Sequence, residues 1–298
     1  MQPFIFTDST ADIPSVRKYE DFDVLQLSYS LDDDQYDNIT KSVTPKEFYD
    51  RMRQGAKSAT SMVNQVYASE KIEEVLKQGR DVIYLAFSSA LSGTYNVGCQ
   101  VVKELQAKYP DRKIAVIDTL NASLGEGLYV DYVVGKRDQG ASFEEVVEYA
   151  NSITDHVCSY FTVDDLKHLA RMGRVSKTAA FIGELIQIKP VMYVNKLGEL
   201  IPIAKVRTRK QVLKALVDKM EDKMLPADEQ KVVYIGHGDS YDDAKYVADL
   251  ITERFGITNI VIDYIGPVIG SHTNAGVIAL FFLGKDKIEE KDARVSNA

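Results

Sequence analysis

Three short segments crowd hydroxyl side chains: Thr7-Asp8-Ser9-Thr10 directly after an apolar run, Ser58-Ala59-Thr60-Ser61 in an expected loop before a helical stretch, and Ser88-Ser89-Ala90-Leu91-Ser92-Gly93-Thr94-Tyr95 after a second apolar run. The third gathers its hydroxyls around Gly93 with no lysine or arginine among them. Neutral O–H donors beside the free amides of a helix start suit one negative charge. Serine and threonine are also favoured as helix caps on local grounds, so any single turn reads as a cap; together they read as a site. His272, in Gly270-Ser271-His272-Thr273, joins them. Its glycine-punctuated surroundings read as a turn that permits close backbone approach, and its imidazole can donate to the same anion as Ser92 and Thr60.

The same residues admit an enzyme reading. Ala86-Phe87-Ser88-Ser89-Ala90 is similar to a Gly-x-Ser-x-Gly nucleophile elbow with alanines for glycines, and His272 lies late in the chain, as a hydrolase base would. Ser88 and His272 would then make a serine esterase. The elbow turns straight into its helix, however, whereas here Ser92 and Gly93 still precede the helical pattern, which favours binding over catalysis. His237, in Gly236-His237-Gly238-Asp239, reads as a structural turn residue. His156 and His168 lie in helical contexts with no partner evident from sequence.

The elements that must position these groups follow from periodicity. Strands are expected at 3–7, 81–87, 113–118 and 158–163, with helices at 94–108, about 122–137 and 142–155. Short helices follow over Asp164-Asp165-Leu166-Lys167-His168-Leu169-Ala170-Arg171-Met172 and over 176–186. Strands 187–194 and 199–205 flank Asn195-Lys196-Leu197-Gly198, a hairpin signature. Helix 209–224, strand 231–236, helix 240–255 and strands 259–265 and 277–283 complete the alternation. This is α/β structure in two domains, 1–162 with a parallel sheet and 163–284, followed by a polar tail, 285–298, read as loose. Ligands of open parallel sheets bind outside the carboxyl ends of the strands, where the hydroxyl turns lie. Helix 179–186 is more apolar than a surface helix needs, so Phe181 and Ile186 are candidates to line an apolar site.

Composition narrows the partners. The chain has 298 residues, 45% of them hydrophobic and 27% charged, enough for two ordinary cores under a soluble surface. Its 44 acidic and 36 basic side chains leave a formal charge of −8, which repels phosphate backbones, so no nucleic acid partner is expected. Cys99 and Cys158 stand apart and read as buried thiols in a reducing compartment. No apolar run approaches the roughly 20 residues of a membrane span, and a cytoplasmic protein is expected. Nucleotide-loop and kinase signatures are absent, as is any acidic cluster arranged for magnesium, so phosphate chemistry would have to come from elsewhere.

Five motifs in register, from residue 4 to about 284, resemble the DegV family: Phe6-Thr7-Asp8-Ser9-Thr10-Ala11-Asp12; Thr60-Ser61; Ser88 to Tyr95; Asp164-Asp165-Leu166 with Arg171-Met172-Gly173-Arg174; and Gly270-Ser271-His272-Thr273. The family includes the fatty-acid-binding subunit, FakB, of bacterial fatty acid kinase. The resemblance implies two α/β domains with a long-chain fatty acid between them, its carboxyl presented to a separate kinase, FakA, for acyl-phosphate formation. It implies no cofactor beyond the bound fatty acid and no catalysis by this chain alone. Carried over by position, the resemblance implies that Thr60 and Ser92 contact the carboxyl, with His272 close by and Ser61 a further candidate, that Arg171 lies near the head group and ties the loops together, and that Arg174, Arg207 and Arg209 help dock the kinase.

On that reading the hydroxyls have a physical purpose. A carboxylate awaiting phosphorylation is better held by neutral donors than by a buried lysine, whose tight ion pair would lower its nucleophilicity. Two departures, Met62-Val63 where family members usually have Gln-Pro and Asn274-Ala275-Gly276 where they usually have Gly-Pro-Gly, leave as the alternative a lipid carrier that acts without a kinase partner.

Overall fold

A computed structural model of the chain describes residues 2–175 and 188–287. The first sheet is parallel, in the order β2 (Phe22–Leu25), β1 (Phe4–Asp8), β6 (Val82–Ala86), β7 (Ile114–Asp118). β6 is buried along its whole length, as a central strand covered on both faces must be. The second sheet is mixed, in the order β10 (Leu200–Val206), β9 (Lys189–Val194), β8 (Val157–Thr162), β13 (Ile278–Leu283), β11 (Val233–His237), β12 (Ile260–Tyr264). Only its β11–β12 pair is parallel. A third, small antiparallel sheet holds β4 (Asp34–Tyr36), β3 (Tyr29–Leu31) and β5 (Ser58–Thr60).

Helices fill the layers between and outside these sheets. α1 (Pro45–Arg53), α2 (Gln65–Lys77) and α3 (Thr94–Lys108) share a core with the outer face of the first sheet and with the small sheet. α4 (Leu124–Asp138) is buried on nearly every side because it runs between the two large sheets, with α5 (Phe143–Ile153) against it. Such all-round burial marks a helix without a solvent face. Each Leu or Val fully buried there contributes about 1.5–3 kcal/mol. The outer face of the second sheet is covered by α7 (Arg209–Lys223) and α8 (Tyr241–Phe255). Capping boxes, Ser142 with Glu145 and Thr208 with Gln211, fix the starts of α5 and α7. Two short helices, α6 (Leu166–Arg171) and α9 (Pro267–Thr273), pack on one another beside the gap between the sheets.

The α/β architecture and the hairpin at Asn195-Lys196-Leu197-Gly198 are present, with β9 and β10 antiparallel around it. Four expectations differ. Ser58–Thr60 is a strand paired with β3 rather than loop, and 267–273 is a helix rather than a turn. β8 lies before the expected division at 162/163, yet it pairs with β13 and β9, inside the second sheet. The start of the tail is anchored: the Lys285 and Lys287 amides donate to Lys223 O and Asp155 O, and the buried Lys287 ammonium donates to Leu120 O at 2.9 Å. Desolvation lowers that ammonium's pKa to about 8. The expected helix over 176–186, with Phe181 and Ile186, lies outside the described residues, as does the tail from 288 onward.

Candidate functional site

The site forms where β5, α9, α6 and the loop after β6 meet. α9 starts at Gly266 with Pro267 in its first turn and ends in His272-Thr273. Its Gly270 faces α1 so closely that a Cβ there would lie 2.7 Å from Tyr49 Oη and 2.8 Å from Phe48, so glycine is needed for the approach. Two side chains then fix α9 from either side: Ser58 Oγ donates to Ser271 O at 3.1 Å, and His168 Nε2, from α6, donates to the same carbonyl at 2.8 Å. The register of β5 on β3 sets Thr60 beside α9, where its hydroxyl and His272 Nε2 share a hydrogen bond of 2.9 Å.

The loop after β6 supplies the facing wall. Ser92 Oγ lies 3.0 Å from Thr94 Oγ1 and accepts the Thr94 amide at 3.2 Å, so it caps α3 in place of Gly93. Met62 lies across Gly93, where a Cβ would meet its sulfur at 2.2 Å; the thioether is 52% exposed and overhangs the opening beside the exposed Ser61. Val63, by contrast, is buried. Arg174 closes the circle: its Nε donates to Leu91 O at 3.2 Å and its terminal NH to Met172 O at 2.7 Å. No carboxylate pairs with it among the described residues.

Behind this polar rim opens a cavity of about 220 Å³. Thr60, Ser61, Ser92, Arg174 and His272 line one end, and Phe87, Phe161, Val194, Leu200, Ile265 and Phe281 are among the apolar walls. Desolvation, with Arg174 and His168 adding repulsion, lowers the His272 pKa to about 4, so the imidazole is neutral near pH 7. Its Nδ1 is buried without a partner among the described residues. The end therefore offers one guanidinium charge, hydroxyls and a neutral imidazole, a set that holds an anion, in front of walls that hold a hydrocarbon.

The positions expected from sequence divide. Thr60, Ser61, Ser92 and His272 are brought together. Arg171 is not: its side chain is 66% exposed and lies 3.5 Å from Asp165. Arg174, expected on a docking face, is in the cavity wall, so the rim is not the uncharged cradle anticipated. Arg207 is exposed. Arg209 is bound to Asp164 at 3.2 Å, Asp243 at 2.8 Å and Gly276 O at 2.7 Å, so its donors are used inside the fold. Ser88 is buried and donates to Gly198 O at 3.0 Å, without contact to His272, so the esterase pair is not assembled. The Thr60–His272 contact does not replace it, because so weakly basic an imidazole, with no described residue orienting Nδ1, is a poor general base. His156 and His237 serve the fold, the first donating to Gly284 O at 3.1 Å and the second accepting the Ser240 amide at 3.3 Å.

The Thr7-Asp8-Ser9-Thr10 turn is separate and closed. Asp8 accepts the Thr10 hydroxyl at 2.5 Å and its amide at 3.1 Å on one oxygen, and Tyr84 Oη at 2.9 Å and the Phe87 amide at 3.0 Å on the other. Glu126 lies 2.9 Å from the same Thr10 hydroxyl. That hydroxyl has one hydrogen for two acids, so an acid must carry a proton. Burial raises the pKa of both; Glu126, pushed well up and with only a 3.3 Å contact from Thr7 besides, is the protonated member.

Among the described residues no group of side chains is arranged to hold a metal ion, and no helix is long and apolar enough to cross a membrane. Sequence reasoning missed Ser123 and Ser159 as cavity residues and set Arg174 on the docking face, since these residues converge from separate elements without a shared period. A family model described as "Uncharacterised protein, DegV family" matches residues 4–285. A DegV domain-containing protein of Clostridium perfringens is 46% identical over 285 residues, covering 95% of this chain and 98% of that one. The structure of a fatty acid binding DegV family protein from Streptococcus agalactiae matches with a TM-score of 0.84 at 27% identity, over 96% of this chain and 100% of that one. DegV, a fatty acid binding protein from Bacillus subtilis, matches at 0.81 and 25%, again over 96% and 100%. With the family model spanning nearly its whole length and the same fold in these relatives, the chain belongs to the DegV family.

Proposed function

We propose that this chain binds one long-chain fatty acid, with the carboxyl among Thr60, Ser61, Ser92, Arg174 and His272 and the hydrocarbon in the cavity behind them. The observation that carries the reading is the arrangement of that cavity: apolar over most of its wall, with its anion-holding groups gathered at one end. The fatty acid binding DegV proteins of Streptococcus agalactiae and Bacillus subtilis share its fold along the whole chain, which supports it. Each buried methylene contributes about 0.8 kcal/mol, so a chain of about fourteen supplies on the order of 11 kcal/mol before ordering costs. The tail thus dominates affinity and the rim sets orientation. Arg174 supplies the charge, and because Leu91 O and Met172 O already share its donors, it grips a carboxylate less completely than an unshared guanidinium would.

The finer proposal is that the carboxyl is presented to a separate, FakA-like kinase. Ser61 and Met62 are exposed at the polar end, which leaves the carboxyl facing the solvent side from which a kinase would approach. Arg207 and Arg171, exposed outside the cavity, are the cations suited to docking it; Arg174 and Arg209 have internal roles. Mass spectrometry of lipid extracted from the natively purified protein tests the binding reading. About one fatty acid per chain is expected, and a lipid-free protein that also fails to take up added palmitate overturns it. With kinase and Mg-ATP supplied, acyl phosphate should form and Arg207→Glu should slow it; equal rates would remove Arg207 from the docking face.

A further inference from the structure

Two hydroxyls, Ser123 and Ser159, line the cavity away from the polar rim, among apolar neighbours such as Phe281 and Ala279. Ser159 points to the same face of β8 as Phe161, two residues further from the end that leads into α6 and Arg174, which puts it about 7 Å deeper. Ser123 precedes α4 with φ 55° and ψ −148°, backbone that glycine adopts without strain and serine does not. Gly125, two residues after Ser123, sets the start of α4 against Ser159: a Cβ there would lie 2.7 Å from Ser159 Oγ and 2.7 Å from Phe281, so only glycine lets the start of α4 approach β8 and β13 this closely.

Both hydroxyl hydrogens are already used. Ser123 Oγ donates to Asp12 at 2.6 Å, and Ser159 Oγ donates to Asn121 Oδ1 at 3.3 Å. While Asp12 is ionised, above the value of about 7 to which burial raises its pKa, what the two oxygens can offer the cavity is therefore lone pairs alone. An acceptor pair in an apolar chamber suits a ligand that brings a donor and opposes a carboxylate, which also only accepts.

From this juxtaposition we propose that Ser123 and Ser159 form a second polar subsite that takes the hydroxyl of a fatty acid hydroxylated near the middle of its chain. The inference rests on the fatty acid reading above and deepens it, since it names the kind of acyl chain. It also fixes the ligand's direction, because the carboxylate has its donors only at the Arg174 end.

The test is displacement of a fluorescent fatty acid from the full chain by stearic acid and by stearic acids hydroxylated at successive mid-chain positions. A wholly apolar chamber would weaken every hydroxylated isomer by roughly tenfold. The subsite predicts one isomer that binds at least as tightly as stearic acid. Its advantage, read as the ratio of the two affinities, should fall about fivefold in Ser159→Ala and in Ser123→Gly. Ser123→Gly relieves backbone strain, so it keeps the test open should Ser159→Ala fold poorly. Uniform weakening of all isomers, by the same ratio in the wild-type chain and the variants, overturns the subsite alone. Failure of stearic acid itself to displace the probe overturns the fatty acid reading and the subsite with it.

Discussion

At the end of β1, Thr7, Asp8 and Thr10 turn inward onto Glu126; at the ends of β5 and β6, Thr60, Ser61 and Ser92 turn toward an open cavity. The two regions use the same residue types on the same local plan, a strand running into a hydroxyl-rich turn. In the first, each donor meets a buried acceptor, and two carboxyls divide one proton between them, so nothing is left for a ligand. In the second, Arg174 lacks a carboxylate partner among the described residues and His272 Nδ1 has none, so binding capacity remains. What separates a structural knot from a binding rim is the set of polar groups left unmatched once the fold is complete.

Substitutions should break this comparison in opposite ways. Asp8→Ala strips the acceptor from four buried donors and should cost about 4 kcal/mol or more in a denaturant melt. A loss below about 1 kcal/mol would mean the first cluster is not a structural knot. Arg174→Ala should act on binding instead, weakening a long-chain fatty acid about 30- to 100-fold, the scale of one charged hydrogen-bonded contact. Its effect on unfolding should stay well below that of Asp8→Ala. Thr60→Val keeps the shape and removes one neutral hydrogen bond, so affinity should fall about fivefold to tenfold by titration calorimetry.

The smallest effect is one of pH. His272 is lowered to about 4 from an ordinary value of 6.5, so the folded chain leaves it neutral where the unfolded chain begins to protonate it. Its contribution is fully present above 6.5 and is lost as the pH falls from there toward 4. Between pH 7 and pH 6 the ligand-free protein should lose less than about 1 kcal/mol on this account. His272→Gln should remove that part of the slope; an unchanged slope would place the imidazole in water.

Much of the frame was legible because β1, β6, β8, β11 and β13 are apolar runs separated by helix-period segments, and because Asn195-Lys196-Leu197-Gly198 signals a hairpin. The small sheet was not, since strands as short as Tyr29–Leu31 and Asp34–Tyr36 carry no period of their own. α9 reads as a turn because its Gly270 serves an approach to Tyr49 that only tertiary packing reveals. The arginines show the same limit. Arg171 ends α6 on its outer surface, but Gly173, at φ 74°, then turns the chain out of the helix, so Arg174 does not share the helical face that the spacing suggests. Residue types suggest an anion site; the fold places Arg174, and not Arg171, on the wall of the cavity.

The central claim is that the rim around Thr60 and Arg174 holds a carboxylate whose hydrocarbon tail lies between the two large sheets. A crystal structure of the chain with palmitate bound measures this directly. The account predicts carboxyl oxygens within about 3.2 Å of Thr60 Oγ1 and of the Arg174 guanidinium, with the tail passing Phe161. A carboxyl lodged instead beside Ser123 and Ser159, or palmitate bound outside this cavity, would contradict it.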